Sequence, residues 1–398
     1  MSTGEDIIKR VDALVQRLGL TSKEVAERAE MDPTALSKVR SGDRNLKASE
    51  LRKLASALGV SPLALLDGES LSARLPIAPR VASDGAGGDA YRRVLALVEL
   101  HDVLSRRGIR DILPTTSVAA PDGPTTGAAV ALGRRARQRL TFAEGPDKFR
   151  SIADAIEAEF GVNVLVEAYN GDTLAGAAVT DAEFPLIFVN ADQPRQRALF
   201  TLAHELGHVL ARHSGGVFWD EGGSFIGSTN QERAANAFAA EFLMPADEIG
   251  RLVAEFGRGA TAIARMILTF GVSYESLSYR LRSAGFITAE GLQQLQELRW
   301  TGLIAAVSDD ATRANLIALR SARPDRRTPL AFAQRLLHGF KDGVVSIRPL
   351  AGLLDCDPDE LLEALTTSHE TTETFNEDFS PSPSDAIAED DLYAGAAA

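Results

Sequence analysis

The chain has 398 residues, 45% hydrophobic and 24% charged, with a formal net charge of −13. That length exceeds one ordinary core and implies roughly two to four units of a globular protein. The charge excludes general coating of nucleic acid, and no apolar stretch reaches the roughly 18 residues needed to span a bilayer.

The acidic start, Met1-Ser2-Thr3-Gly4-Glu5-Asp6, does not have the pattern of a secretory signal, and the single cysteine, Cys356, excludes an internal disulfide. A cytoplasmic protein is expected, with no membrane partner.

Residues 1–68 read as an all-α unit of short helices. The first covers about Glu5–Leu18, with Ile8, Val11, Leu14, Val15 and Leu18 at helical spacing, and Gly19 ends it. Thr21 or Ser22 caps a second helix, Lys23–Ala29, and Asp32-Pro33 opens a third, Thr34–Ser41, which Gly42 closes. Ala48–Leu58 and Pro62–Leu66 complete the set. A shared core of Val25, Ala26, Leu36 and Val39 leaves Pro33, Thr34, Ser37 and Lys38 on the outer face of the third helix, placed for base edges in a major groove. Arg40, Arg44, Lys47, Arg52 and Lys53 follow, and residues 37–53 carry six basic against two acidic side chains, a phosphate-contacting stripe. The bland alternative is a helical bundle used only for protein contacts. A single unit with few direct readers implies a homodimer on double-stranded DNA. The segment resembles the Xre-type repressor family, including Leu51…Leu54-Ala55…Leu58-Gly59-Val60-Ser61 after the third helix.

Residues 69–128 form a linker with one helix: 69–90 and 112–128 are rich in Gly, Pro, Ala and Ser, and Tyr91–Arg107 is amphipathic with no evident partner. From 129 to 287 the pattern is that of an α+β domain. Helices near 129–140 and 146–160 precede three β-rich runs, Val162–Ala168, Leu174–Val179 and Pro185–Val189, separated by turns such as Asn170-Gly171-Asp172. Helices at about 195–212 and 229–242 follow, and more helices run to 286. Strands first and site-bearing helices after them make a three-stranded sheet plus helices.

His204-Glu205-Leu206-Gly207-His208 carries the chemistry. Residues four apart share a helix face, so both imidazoles can reach one ion, and Glu205 can point at the water in an open fourth position. A third ligand is available on the next helix, where Glu232 begins a run of small residues, Ala234, Ala235, Ala237, Ala239 and Ala240, that permits close packing. Glu241 is nine residues on and half a turn off that face, hence solvated or behind the ligands. Zinc suits two imidazoles and a carboxylate, one ion per chain, with Mn2+ or Fe2+ as alternatives. His213, Tyr274, Tyr279 and Arg280 are the candidates for the oxyanion donor, each with a structural or surface role as the favoured alternative. The run Pro185–Asn190 is expected to present a strand edge to an extended substrate.

Residues 129–287 resemble the ImmA/IrrE metallopeptidases, whose site is similar to that of the gluzincins. The resemblance rests on Phe184-Pro185-Leu186-Ile187-Phe188-Val189-Asn190, Phe200 to His208, Glu232…Ala235-Asn236…Phe238-Ala239, Leu243-Met244-Pro245 and Val272-Ser273…Leu277…Arg280-Leu281. It implies metal ligands at His204, His208 and Glu232, a general base at Glu205, and a helix-turn-helix repressor as substrate, cleaved under stress. Relatives with an N-terminal Xre unit occur beside toxin genes, so a non-cleaving regulator or antitoxin that binds operator DNA and a toxin is the competing function.

Residues 288–365 are helical by pattern and match no part of that family's pattern, although members of the family sometimes carry a sensor domain there. Leu350-Ala351…Leu354…Pro358…Leu361-Leu362 repeats the spacing of Leu54-Ala55…Leu58…Pro62…Leu65-Leu66, read as a recurring two-helix corner with Leu pairs facing a core rather than a second DNA-binding unit. The tail, 366–398, has eight acidic residues and no Lys or Arg, a composition that implies disorder. His101 and His338 are read as packing or surface residues, Trp219 and Trp300 as core or interface, Asp220 and Glu221 as solvated, and Cys356 as inert.

Overall fold

The computed structural model describes residues 4–17, 20–58, 60, 62–66, 88–110, 125–143, 145, 148–169, 174–213, 217–220 and 229–367. They fall into two compact units, Met1–Arg335 and Leu336–Ala398. Helices dominate in both, as the hydrophobic spacing requires.

At the N-terminus, α1 (Gly4–Arg17), α2 (Ser22–Arg28), α3 (Pro33–Arg40), α4 (Ala48–Ala57) and α5 (Pro62–Leu66) follow one another. Gly19, expected to end α1, lies outside the described residues. Thr21 caps α2: its Oγ accepts the Glu24 N–H, and the Glu24 carboxylate accepts the Thr21 N–H at 2.7 Å. Asp32 caps α3 by accepting the Ala35 N–H at 2.9 Å, with Pro33 at the first helical position. Val25, Ala26 and Leu36 are buried with Leu51, Leu54 and Leu58 in a core of their own, and Val39 is buried beside them in sequence.

The helix of the linker, α6 (Gly88–Arg106), has a partner that its pattern did not reveal. Arg93 reaches Glu167 at 2.8 Å, His101 stacks on Phe184 at 4.6 Å, and the Arg335 guanidinium donates to His101 Nδ1 at 2.7 Å. His101 is thus a buried packing residue. Of the flanking linkers read as 69–90 and 112–128, residues 69–87 and 112–124 lie outside the described residues, as does the turn Asn170-Gly171-Asp172, while helices already begin at Gly88 and Thr126.

The next elements are α7 (Thr126–Arg139), α8 (Lys148–Phe160), β1 (Asn163–Glu167), β2 (Gly176–Val179), β3 (Leu186–Asn190), α9 (Arg195–Leu210), β4 (Val217–Asp220) and α10 (Asn230–Leu243). The three strands read from the sequence are joined by a fourth, in the order β1-β3-β2-β4. β3 runs parallel to β1 and antiparallel to β2, and β4 is antiparallel to β2. This corrects one expectation. Pro185–Asn190 offers no edge, because β3 is interior and its backbone groups serve two ladders. Its unbroken run Leu186-Ile187-Phe188-Val189 is buried on both faces, the composition of a central strand rather than of an exposed edge. On the outer side of β1, Val166 exchanges two backbone hydrogen bonds with Arg327, at 2.9 and 3.0 Å.

α9 lies across β2 and β3, and α10 packs against both α9 and α7. Glycines set how closely these helices approach. A Cβ on Gly207 would stand 3.0 Å from the Phe238 ring and 3.3 Å from the Ala235 Cα, and one on Gly133 would stand 2.8 Å from the Phe238 carbonyl oxygen. α11 (Ala246–Phe256), α12 (Ala260–Phe270), α13 (Tyr274–Ser283), α14 (Ala289–Ala306) and α15 (Asp310–Ser321) complete the layer. Leu303, Val307 and Leu316 enter the same core as Leu202, Phe238 and Ile263, so packing continues without a break past residue 288. Trp300 packs partly buried on that core, with the Arg320 guanidinium over its ring.

α16 (Leu330–Lys341) runs into the second unit, where α17 (Arg348–Leu354) follows. Asp355 adopts a left-handed conformation, and a further helical segment spans 358–367. The repeated Leu-Ala…Leu…Pro spacing therefore yields a two-helix corner in both places. Burial differs: Leu58 and Leu65 are fully buried and Leu66 is exposed, whereas in the second copy both Leu354 and Leu362 are exposed, so the expected core-facing Leu pair is complete in neither copy. His338 is exposed, and so is Cys356. His369 and most of the acidic tail lie outside the described residues. No helix among the described residues is long and apolar enough to cross a membrane.

The approach at Gly133 gives a test. A backbone carbonyl cannot swing aside as a side-chain tip can, so Gly133→Ala is expected to lose about 1–3 kcal/mol of stability in urea denaturation despite alanine's better helix propensity. An unchanged midpoint would show that α10 gives way at this contact.

Candidate metal centre

The four-residue spacing on α9 brings His204 and His208 to one face, with their Nε2 atoms 3.1 Å apart. Glu232 lies in the first turn of α10, where Thr229 caps the helix by accepting the Glu232 N–H at 3.2 Å. Its carboxylate Oε2 is 3.2 Å from His204 Nε2 and its Oε1 is 3.5 Å from His208 Nε2. One ligand atom from each of the three residues lies within 4.8 Å of the others. Two imidazole nitrogens and a carboxylate oxygen are the donor set of a divalent metal with one position left open, so the residues present fit such an ion.

Electrostatics favours the forms that would bind a cation. The Glu232 carboxylate, hydrogen-bonded by both imidazoles, is held far below the usual carboxylate range. Burial pushes His208 down to about 4, although Glu232 acts in the opposite direction, and burial also lowers His213. His208 is therefore neutral at neutral pH.

The remaining ring nitrogens have partners that the sequence reading did not assign. His204 Nδ1 is 3.0 Å from Asn236 Oδ1. Asn236 follows Glu232 by four residues, so one helix face supplies a site carboxylate and an orienting amide, and this periodicity was legible. His208 Nδ1 is 3.0 Å from His213 Nδ1. His213 lies beyond the end of α9, where no helical spacing applies.

Glu205 is fully buried on the same helix. Its carboxylate lies against β2: a Cβ on Gly176 would come 3.3 Å from Glu205 Oε1 and 2.3 Å from the Thr201 methyl. The absent side chain at Gly176 leaves the room that both occupy.

The other candidates are placed elsewhere. Glu241 is not solvated: it is buried and paired with Arg280 and with Arg134, the latter at 2.9 Å. Arg280 also donates to the Met244 carbonyl at 2.9 Å, which fixes it as a strut between α13 and the end of α10. Tyr274 donates to the Leu295 carbonyl at 2.7 Å, and the Tyr279 hydroxyl accepts from Gln296 at 3.2 Å. Of the four candidates for the oxyanion donor, Tyr274, Tyr279 and Arg280 have the structural contacts favoured for them, and His213 borders the site behind His208. Trp219 pairs with Ala177 across the β2–β4 ladder, and Asp220 with Gly176. Glu221 lies outside the described residues.

In the N-terminal helices, Pro33, Thr34, Ser37 and Lys38 are exposed along α3. Arg40 is engaged by Asp12 at 2.6 Å and Arg44 by Glu50 at 2.8 Å.

A helix bearing two histidines four residues apart is laid across a small mixed sheet and met by a carboxylate from the next helix, an arrangement able to hold a divalent metal. Residues 157–282 match the family model described as an IrrE N-terminal-like domain, and residues 12–65 match that of a helix-turn-helix. Over 104 residues, 25% of this chain, the sequence is 33% identical to the radiation response metalloprotease IrrE of Deinococcus deserti, covering 37% of that protein. A second alignment of 104 residues is 31% identical to the protein of the same name from Deinococcus radiodurans, covering 32% of it. The matched part spans about a third of the length of these curated relatives. The chain thus has a region similar to the IrrE N-terminal-like domain and, ahead of it, one similar to a helix-turn-helix domain.

The position of His208 predicts a pH dependence once metal has been stripped by a chelator. The unfolded imidazole takes its proton near 6.5 and the folded one only near 4. The unfolded state binds more protons across that window, so stability rises with pH through it and falls on acidification. Lowered Glu232 acts with the same sign further down. His208→Asn is expected to flatten this part of a Tm-against-pH profile. An unaltered slope would assign the effect to other groups.

Proposed function

We propose that this chain is a DNA-binding, zinc-dependent metallo-endopeptidase that regulates transcription by cleaving a helix-turn-helix repressor under stress. The observation that carries the reading is the convergence of His204, His208 and Glu232, with Glu205 buried on the same helix. The three are assigned as metal ligands and Glu205 as the general base. Zinc is preferred on ligand type over Mn2+ or Fe2+, one ion per chain.

When bound, the ion supplies Lewis acidity toward a water and toward the scissile carbonyl. The work of the chain's own residues is then geometric. His204 and His208 turn their Nε2 atoms toward the site, with Asn236 and His213 engaging the opposite nitrogens. Glu205 takes a proton from the attacking water and returns it to the leaving amine. Its burial strengthens this exchange by keeping bulk water away from the carboxylate. β4, the terminal strand beyond β2 among the described residues, is the place for an extended substrate to pair, in the role first expected of β3.

The helix-turn-helix match supports contact with double-stranded DNA; in this reading the chain binds as a homodimer, through Pro33, Thr34, Ser37 and Lys38, with Arg40 and Arg44 on the phosphate side. The printed name of the Deinococcus proteins, radiation response metalloprotease, supports a stress setting.

Two experiments test this reading. Metal analysis of the purified chain is expected to give one zinc, lost in His204→Ala, while Glu205→Gln keeps its zinc and cleaves an Xre-type repressor about 100- to 10,000-fold more slowly. Undiminished cleavage by Glu205→Gln would remove the base assignment. Zinc without cleavage of any repressor would favour a regulator or antitoxin that binds DNA and a toxin. In the second experiment, Lys38→Ala is expected to weaken operator binding by about 1–3 kcal/mol in fluorescence anisotropy. An affinity independent of salt would count against DNA binding altogether.

A further inference from the structure

β2 touches the candidate centre at both ends. Near its start, Gly176 leaves space for the Glu205 carboxylate. Just past its end, the Thr180 hydroxyl donates to the His213 carbonyl at 3.1 Å. Between these points runs α9, whose last turn ends at the cap residue Ala211. Arg212 then adopts φ 51°, a left-handed conformation that a residue with a Cβ enters at a cost and that glycine usually fills at a helix end. This reversal folds the chain back under α9. The His213 N–H donates to the His208 carbonyl at 3.1 Å, and the His213 ring meets the His208 ring edge-on, with Nδ1 facing Nδ1 at 3.0 Å. His213 is itself buried.

Two nitrogens at that distance require one donor and one acceptor. His208 Nε2 faces His204 and Glu232, where a lone pair is needed, so its proton belongs on Nδ1. We infer that His213 is the positioning residue for His208, its Nδ1 accepting the His208 Nδ1–H and fixing Nε2 as the metal-facing nitrogen. This rests on the metal-centre reading above. It also gives the two histidines unlike supports. His204 is oriented by an amide on the helix that carries Glu232, and His208 by an imidazole held through Thr180 at the end of β2. The sheet, and not only the helix pair, then sets the affinity of the centre.

The experiment is a zinc titration of the full chain against a chromophoric chelator, with Co2+ absorption as a second readout. His213→Phe fills the volume without an acceptor and is expected to weaken zinc binding about 10- to 100-fold and to alter the Co2+ spectrum. His213→Asn offers an amide oxygen, as Asn236 does to His204, and is expected to restore most of the affinity. A structural filler role would give the opposite order, with Phe tolerated better than Asn. Thr180→Val, which removes only the hydroxyl, is expected to weaken binding in the same direction but less. It decides the matter should His213→Phe fail to fold, since zinc affinity equal to the wild type would then overturn the inference. Equal affinity in wild type and His213→Phe overturns it directly. A wild type that binds no zinc would remove the metal-centre reading together with this one, and so separates the two failures.

Discussion

Glu232 and the two histidines are separated by a full helix-to-helix connection, and what joins them is the close crossing of α9 and α10. That crossing depends on Gly207. Its missing side chain lets the Phe238 ring and the Ala235 backbone come within contact distance of α9. One turn away along α9 and one along α10 lie the groups that converge. The same glycine stands inside the pentapeptide that bears the histidines, so ligand spacing and helix approach are written in the same five residues. Gly133 repeats the device on the other side of α10, and α10 is thereby held between α7 and α9.

Around this crossing, three buried carboxylates are held by arginine. Glu241 is paired with Arg280 and Arg134 at the end of α10. Glu167 on β1 is paired with Arg93 of α6 and Arg326. Glu157 of α8 is paired with Arg327, which also reaches Asp154 and the Val164 carbonyl. Removing one partner of such a pair typically costs about 3–5 kcal/mol, because the other charge stays buried. Their contribution is to register: α6, the segment at 326–327 and α13 are each tied to an element that borders the sheet or α10. This explains why the linker helix and residues 289–327, which carry no family motif, belong to the same packed body as the site.

The arrangement also separates two kinds of task. Residues that would face a metal or a substrate sit on α9 and α10, whose geometry is rigid. Those that orient the histidines come from different places: Asn236 one turn beyond Glu232 within α10, His213 after the chain reverses at Arg212, and Thr180 just after β2. A strand adjacent to the terminal β4 thus touches both the Glu205 carboxylate and the support of His208.

The sequence by itself determined the local features. Helical periodicity gave α1 to α5 and the caps at Thr21 and Asp32, because capping and amphipathic spacing are properties of neighbours along the chain. The histidine pair was legible for the same reason, and the small residues after Glu232 pointed to the helix that would meet it. Tertiary structure decided what depends on residues far apart. It made β3 central by adding pairing on both sides, turned Glu241 and Arg280 into a buried ion pair, and gave Tyr91–Arg107 its partner in Glu167, Phe184 and Arg335. It also distinguished two identical Leu-Ala…Leu…Pro spacings, burying Leu58 in the first and exposing its counterpart Leu354 in the second. Spacing specifies which side chains share a face, but only the packed chain specifies what that face meets.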